Sequence, residues 1–187
     1  MDLISIPAWN PLGVLPPIDE KRPTSPSRSP YRVSLKDIVQ RFSTSKERCA
    51  IIYGFLDYRA ALHAAGMTEG FQWLDGSFTE QVEVTERRTP NDIDVVTFVA
   101  GEVAIDDEHA LLDQPAVKRT YKVDGYFVEL DTTPPAELAS LSAYWYSMWS
   151  HRRNQSWKGF LEIDLAPHDD ADALACLTGL NEQGDRE

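Results

Sequence analysis

The sequence predicts an α+β fold, a small mixed β-sheet with helices packed on it. Three observations carry that reading. Helical patterns come first and then alternate with four runs of β-forming residues, an order that suits a sheet covered by helices. Apolar residues make up 42% of the 187, with five Trp, seven Tyr and seven Phe, so the middle of the chain can bury a real core. The length suits one domain with an added arm.

In chain order, seven of the twelve prolines fall within the first thirty residues. "RPTSPSRSP" (22–30) reads as an exposed tether rich in polyproline II, and "WNPLGVLPPI" is apolar enough to dock on a surface. Residues 1–33 form this Pro-rich arm, 34–180 the domain, and 181–187 an acidic tail. Ser34 is the expected N-cap of a helix with Leu35, Ile38, Val39 and Phe42 at helical spacing. Thr44 and Glu47 suggest a capping box opening a longer helix, with Ile52, Phe55, Leu56 and Leu62 on one face and Gly66 ending it. "FQWLDG" is the first expected strand and "DIDVVTFV" the second, separated by a long polar connection that loops out at "QVEVTERR". Residues 106–119 read as helix, Tyr121 to Leu130 as the third strand, Pro134 to Arg153 as a helix with cations at its end, and "KGFLEIDL" as the fourth strand. A short helix follows, and then the acidic tail.

The bulk numbers exclude several classes. Thirty acids against eighteen Lys and Arg leave a net charge of −12, which repels a phosphate backbone and gives no general nucleic-acid footprint. Cys49 and Cys176 are too few for a disulfide framework or a zinc site, and Cys49 reads as a small buried residue. The amino-terminal stretch lacks a basic start, and no run approaches a membrane span. The expected compartment is the cytoplasm, with no membrane partner.

The chemistry concentrates between Trp73 and Phe98. On a strand, residues i and i+2 point the same way, so Asp92 and Asp94 present their carboxylates to one side. Such a pair favours a cation between its members, and paired oxygen ligands suit Mg²⁺, which completes its octahedron with waters and substrate phosphates. Gly76-Ser77 adds a backbone of close approach and a hydroxyl donor, as a phosphate needs. "SHRRNQSWKG" (150–159) brings His151, Arg152, Arg153 and Lys158 together, which fits phosphate recognition or cations placed for the helix dipole. Tyr144, Trp145, Tyr146, Met148 and Trp149 read as a packed helix face. His63 and His168 lack ligand-spaced partners and read as structural.

"LDGSF…PNDIDVVTF" resembles the signature of the DNA polymerase β-like nucleotidyltransferase superfamily. With "VDGYFVEL", "YWYSMWSHRR", "WKGFLEIDL" and the "GVLPP" piece of the arm, residues 34–165 resemble an uncharacterised bacterial family of small stand-alone nucleotidyltransferase-like proteins. The resemblance implies Gly76 and Ser77 as a nucleotide-phosphate turn, assisted by Arg152, Arg153 and Lys158. It implies Asp92, Asp94 and Asp124 as catalytic Mg²⁺ (or Mn²⁺) ligands, with an NTP as substrate. Fourteen residues separate Ser77 from Asp92, at the long end of that pattern. Glu129 is the competitor for the third carboxylate, but five residues from Asp124 it faces the opposite side of a regular strand. The implied activity moves a nucleoside monophosphate onto a protein acceptor, such as a paired toxin, or onto an RNA 3′ end. The acidity favours the protein acceptor. The alternative is a non-catalytic, antitoxin-like module that binds a nucleotide or a partner through its arm and aromatic surfaces.

Overall fold

The computed structural model describes residues 3–101 and 110–184. Their fold is α+β, with a five-stranded mixed sheet at its centre. The strands are β1 (Tyr31–Arg32), β2 (Glu69–Asp75), β3 (Ile93–Ala100), β4 (Val123–Glu129) and β5 (Leu161–Asp164), in the spatial order β1-β5-β2-β3-β4. β2 runs antiparallel to both β5 and β3, while β4 is parallel to β3 and β1 to β5.

Alternation along the strands divides the side chains between two layers. Leu74, Ile93, Val95, Val99, Val123, Leu161 and Ile163 belong to one core, shared with helices α1 (Leu35–Phe42), α2 (Lys46–Ala64), α4 (Gln114–Tyr121) and α6 (Asp170–Gly184). Trp73, Val96, Phe98 and Val128 form the second core, covered by Trp145 and Trp149 of α5 (Pro135–Trp149). The aromatic run at 144–149 is therefore mainly a packing face, although Tyr144 and Met148 stay exposed.

Helix boundaries follow the caps. Ser34 and Asp37 close a capping box at the start of α1. The expected box at Thr44 and Glu47 does not form: the N-cap of α2 is Ser45, whose hydroxyl accepts from the Arg48 N–H. Of the helix expected over 106–119, residues 106–109 lie outside the described residues and 110–112 form a turn, so the helix begins only at Gln114. It is α4, capped by Asp113. Tyr121 ends that helix rather than opening β4. Lys122 takes the left-handed conformation there and turns the chain into the strand.

Two buried arginines on α2 organise the surrounding loops. Arg59 grips both carboxylate oxygens of Asp170 at 2.7 and 2.9 Å, the Gln72 side chain at 2.7 Å, and the carbonyls of Asp164, Leu165 and Ala166. It ties β2, the end of β5 and α6 together. Arg48 donates to the carbonyls of Phe78 and Glu80, both at 2.6 Å, and to the Glu83 carboxylate. It holds the connection after Gly76-Ser77 against the body.

That connection corrects the sequence reading. It does not loop out at 81–88: it folds into one helical turn, α3 (Val82–Thr85), with Val82 fully buried. Its cover is the amino-terminal arm. Gln81 N–H donates to the Gly13 carbonyl at 2.8 Å and the Trp9 indole to the Thr79 carbonyl at 2.8 Å, with the Arg41 guanidinium 3.8 Å above the Trp9 ring. Val14 and Leu15 are completely buried, and the Leu15 carbonyl accepts from Gly159 N–H. The segment expected to dock a partner is docked on its own domain, while 21–24 remain exposed. Leu15→Ala is accordingly expected to lower the free energy of unfolding by about 2–5 kcal/mol in urea denaturation. A tether would show no change.

Candidate functional site

Register brings the acidic residues together. Asp75 pairs with Asp94 across β2 and β3, and Asp94 pairs with Asp124 across β3 and β4. The three stand in one row, on the same face as Trp73, Val96 and Tyr126, which form the next row. Asp92 lies two residues before Asp94 and joins the same side. Unit charges on adjacent strands about 5 Å apart repel by about 3 kcal/mol at a protein-like effective dielectric. The row needs counter-charge.

Two lysines supply it. Lys118, from α4, reaches Asp92 Oδ2 at 2.8 Å and Asp124 Oδ2 at 2.9 Å, and these two bonds hold its ammonium above the usual lysine range. One ammonium bridging both carboxylates places Asp92 and Asp124 close enough to share a cation. Lys158, almost wholly buried, reaches Asp75 Oδ2 at 2.8 Å and Glu80 Oε1 at 3.1 Å. Glu80 also accepts from Arg152 Nε at 2.8 Å. Among the described residues no lysine or arginine pairs directly with Asp94. Burial and the neighbouring charges of Asp75, Asp92 and Asp124 push its carboxyl up to about 7, with Lys158 opposing. Burial raises Asp75 to about 6, again against the pull of Lys158.

The turn after β2 closes over this row. Gly76 has φ 84° and ψ −168°, a conformation restricted to glycine. A Cβ there would collide with the Asp94 carboxylate. Ser77 begins a 3₁₀ turn, and the Thr79 hydroxyl returns to Asp75 Oδ1 at 3.2 Å. A cleft of about 670 Å³ opens here, with Gly76, Ser77 and Asp94 on one side and Arg152, Arg153 and Lys158 among its other lining residues. Its size is within the range of small-molecule sites.

Asp92, Asp94, Asp124, Gly76 and Ser77 are thus assembled at one end of the sheet. The basic trio lines the cleft with Gly76, Ser77 and Asp94, whereas Asp92 and Asp124 are not among its lining residues. Lys158 and Arg152 are held by carboxylates, and only Arg153 of the trio has no ionic partner among the described residues. Glu129 sits near the other end of β4, on the opposite face, and accepts from the Thr132 hydroxyl. His63 contacts the Leu165 carbonyl at 2.7 Å, a structural role. Sequence reasoning missed Asp75, Glu80 and Lys118. Only Asp75 carried a signal, as the last strand residue before Gly76-Ser77.

The fold and site define a class of mixed-sheet α+β domain, in which an acidic row from three strands lies under a Gly-Ser turn. The chain belongs to DUF6932, a family of unknown function whose model matches residues 7–164. The match takes in the docked part of the arm, the acidic row and the 150–158 loop. No curated protein and no solved structure matches the chain.

The Asp94 shift has a testable sign. Its carboxyl is raised in the folded state, so above pH 7 the fold carries a repulsion that the unfolded chain lacks. Stability attributable to this group returns as pH falls from about 7 to 4. Asp94→Asn should therefore stabilise the metal-free protein by about 2 kcal/mol at pH 8, discounted for partial solvent contact, with the gain fading towards pH 4. Denaturation at both pH values checks this, and a pH-independent gain would contradict it.

Proposed function

We propose that the protein is a metal-dependent nucleotidyltransferase that moves a nucleoside monophosphate from an NTP to a hydroxyl acceptor. The observation that carries the reading is the register row Asp75–Asp94–Asp124, with Asp92 beside it, directly under the Gly76-Ser77 turn. Among the described residues no three acidic, His or Cys side chains converge as a ready-formed metal cage. Mg²⁺ does not require one, since it binds through one or two carboxylates plus waters and substrate phosphates. Among the described residues no ammonium pairs with Asp94, which offers the open carboxylate of such a site, while Lys118 holds Asp92 and Asp124 beside it. When bound, Mg²⁺ or Mn²⁺ would supply positive charge to the triphosphate and lower the pKa of the attacking hydroxyl.

The chain's own residues account for the rest. Gly76 lets a phosphate approach the backbone, and the Ser77 hydroxyl donates to a phosphate oxygen. Arg153, which has no ionic partner among the described residues, pairs with the polyphosphate. Lys158 and Glu80 fix Asp75 and the turn in place, and so act as positioning residues. In the transfer, the acceptor oxygen bonds to the α-phosphorus and the bond to the bridging oxygen breaks. Pyrophosphate leaves with the electron pair, and the acceptor proton passes to a carboxylate of the row. The net charge of −12 favours a protein hydroxyl over RNA as acceptor. A second reading, a non-catalytic nucleotide- or partner-binding module, draws on the two lysines that already neutralise much of the row.

Incubation with α-labelled and γ-labelled NTPs and Mg²⁺ separates the two readings. The transferase predicts that the α-label alone moves onto the protein or a co-purifying partner. Asp92→Asn combined with Asp94→Asn should reduce transfer to background without unfolding the chain. Nucleotide binding with no transfer to any acceptor would favour the binding module. Unchanged nucleotide affinity in the double variant would remove the site assignment.

A further inference from the structure

We infer that Lys118 takes the place of one of the two divalent ions that two-metal phosphoryl-transfer sites hold, so that this protein binds a single metal, at Asp94. The inference rests on the proposed function and adds the metal stoichiometry of that site.

The geometry separates the row into a filled position and an open one. The Lys118 ammonium lies 2.8 Å from Asp92 and 2.9 Å from Asp124, distances of charge-assisted bonds. It uses the Oδ2 atom of each carboxylate and bridges them as an ion would. Its side chain is about half exposed, at 48%, but the backbone that carries it is fixed. The neighbouring Val117 is buried in the main core, Asp113 caps the start of α4, and the Lys118 carbonyl accepts from Lys122 N–H where the helix turns into β4. α4 thus delivers the ammonium to the outer side of the row. Lys158 neutralises Asp75 from the other side. Asp94, between them and under Gly76, has no ammonium partner among the described residues.

Charge balance agrees. With Asp94 ionised, as metal binding requires, Asp75, Glu80, Asp92, Asp94 and Asp124 contribute five negative charges, and the cations paired with them, Lys118, Arg152 and Lys158, contribute three positive ones. The two left over match one divalent ion. A second ion in the outer position would have to displace the Lys118 ammonium and break its two charge-assisted bonds to Asp92 and Asp124.

Mn²⁺ titration of the full chain, counted by the electron paramagnetic resonance of free Mn²⁺, tests this. The wild type should bind one Mn²⁺, K118M two, and K118R one because it keeps the bridging charge. Two Mn²⁺ in the wild type, or one in K118M, would overturn the inference while leaving the transferase reading intact. No Mn²⁺ on any of the three would overturn both. If K118M does not fold, the same count on K118Q, read with the wild type, decides between these outcomes.

Discussion

Carboxylates from three adjoining strands stand in one register row, and their mutual repulsion sets what the surrounding structure has to supply. The antiparallel ladder of β2 with β3 and the parallel ladder of β3 with β4 both place an aspartate at the same level. A slip of one residue would turn Asp94 into the core that holds Ile93 and Val95. The apolar alternation of β3 therefore fixes the charge cluster as firmly as it fixes the core. Counter-charge then arrives from two directions, Lys118 on α4 and Lys158 after α5, so the acidic row is also where separate parts of the fold are joined.

The two buried arginines of α2 solve the related problem of holding irregular backbone beside the sheet. Carbonyls without ladder partners need donors, and a guanidinium offers five in a fixed fork. Arg48 uses its fork on the connection that follows Gly76-Ser77, and Arg59 uses its own on the exit from β5. The arm completes the first of these. With Val14 and Leu15 buried and Trp9 bonded to Thr79, the wall of the cleft is built partly from residues that precede the sheet. Gly76 can sit against Asp94 because the turn is held from behind.

Much of this fold was legible in the sequence. Runs such as "DIDVVTFV" and "FQWLDG" announce strands through β-propensity and alternation, and the i, i+2 rule puts Asp92 and Asp94 on one face without coordinates. Asp124 was reachable through the resemblance, which implied it as the third carboxylate. Other parts were not legible, for physical reasons. Asp75 joins the row only through its register with Asp94, a long-range property. Lys118 reaches Asp92 because α4 packs beside β4, and no local spacing encodes that. Arg48 and Arg59 look like exposed helix residues until the loops they bind are in place. The docking of "WNPLGVLPPI" was readable as apolar, but which surface it covers depends on Phe42, which packs against Phe78 and meets the edge of Trp9. Lys158, read as a phosphate contact, proves to be bonded inside the protein to Asp75 and Glu80.

The central claim is that Asp94 is the member of the row with no counter-ion among the described residues. Carbon-13 NMR of the aspartate side-chain carboxyls, followed across pH, tests it most directly. The account predicts that Asp94 titrates with a midpoint near 7, well above ordinary aspartates, and that Mg²⁺ drives this midpoint down because the ion supplies the missing charge. An Asp94 carboxyl that titrates near 4 and does not respond to Mg²⁺ would contradict it.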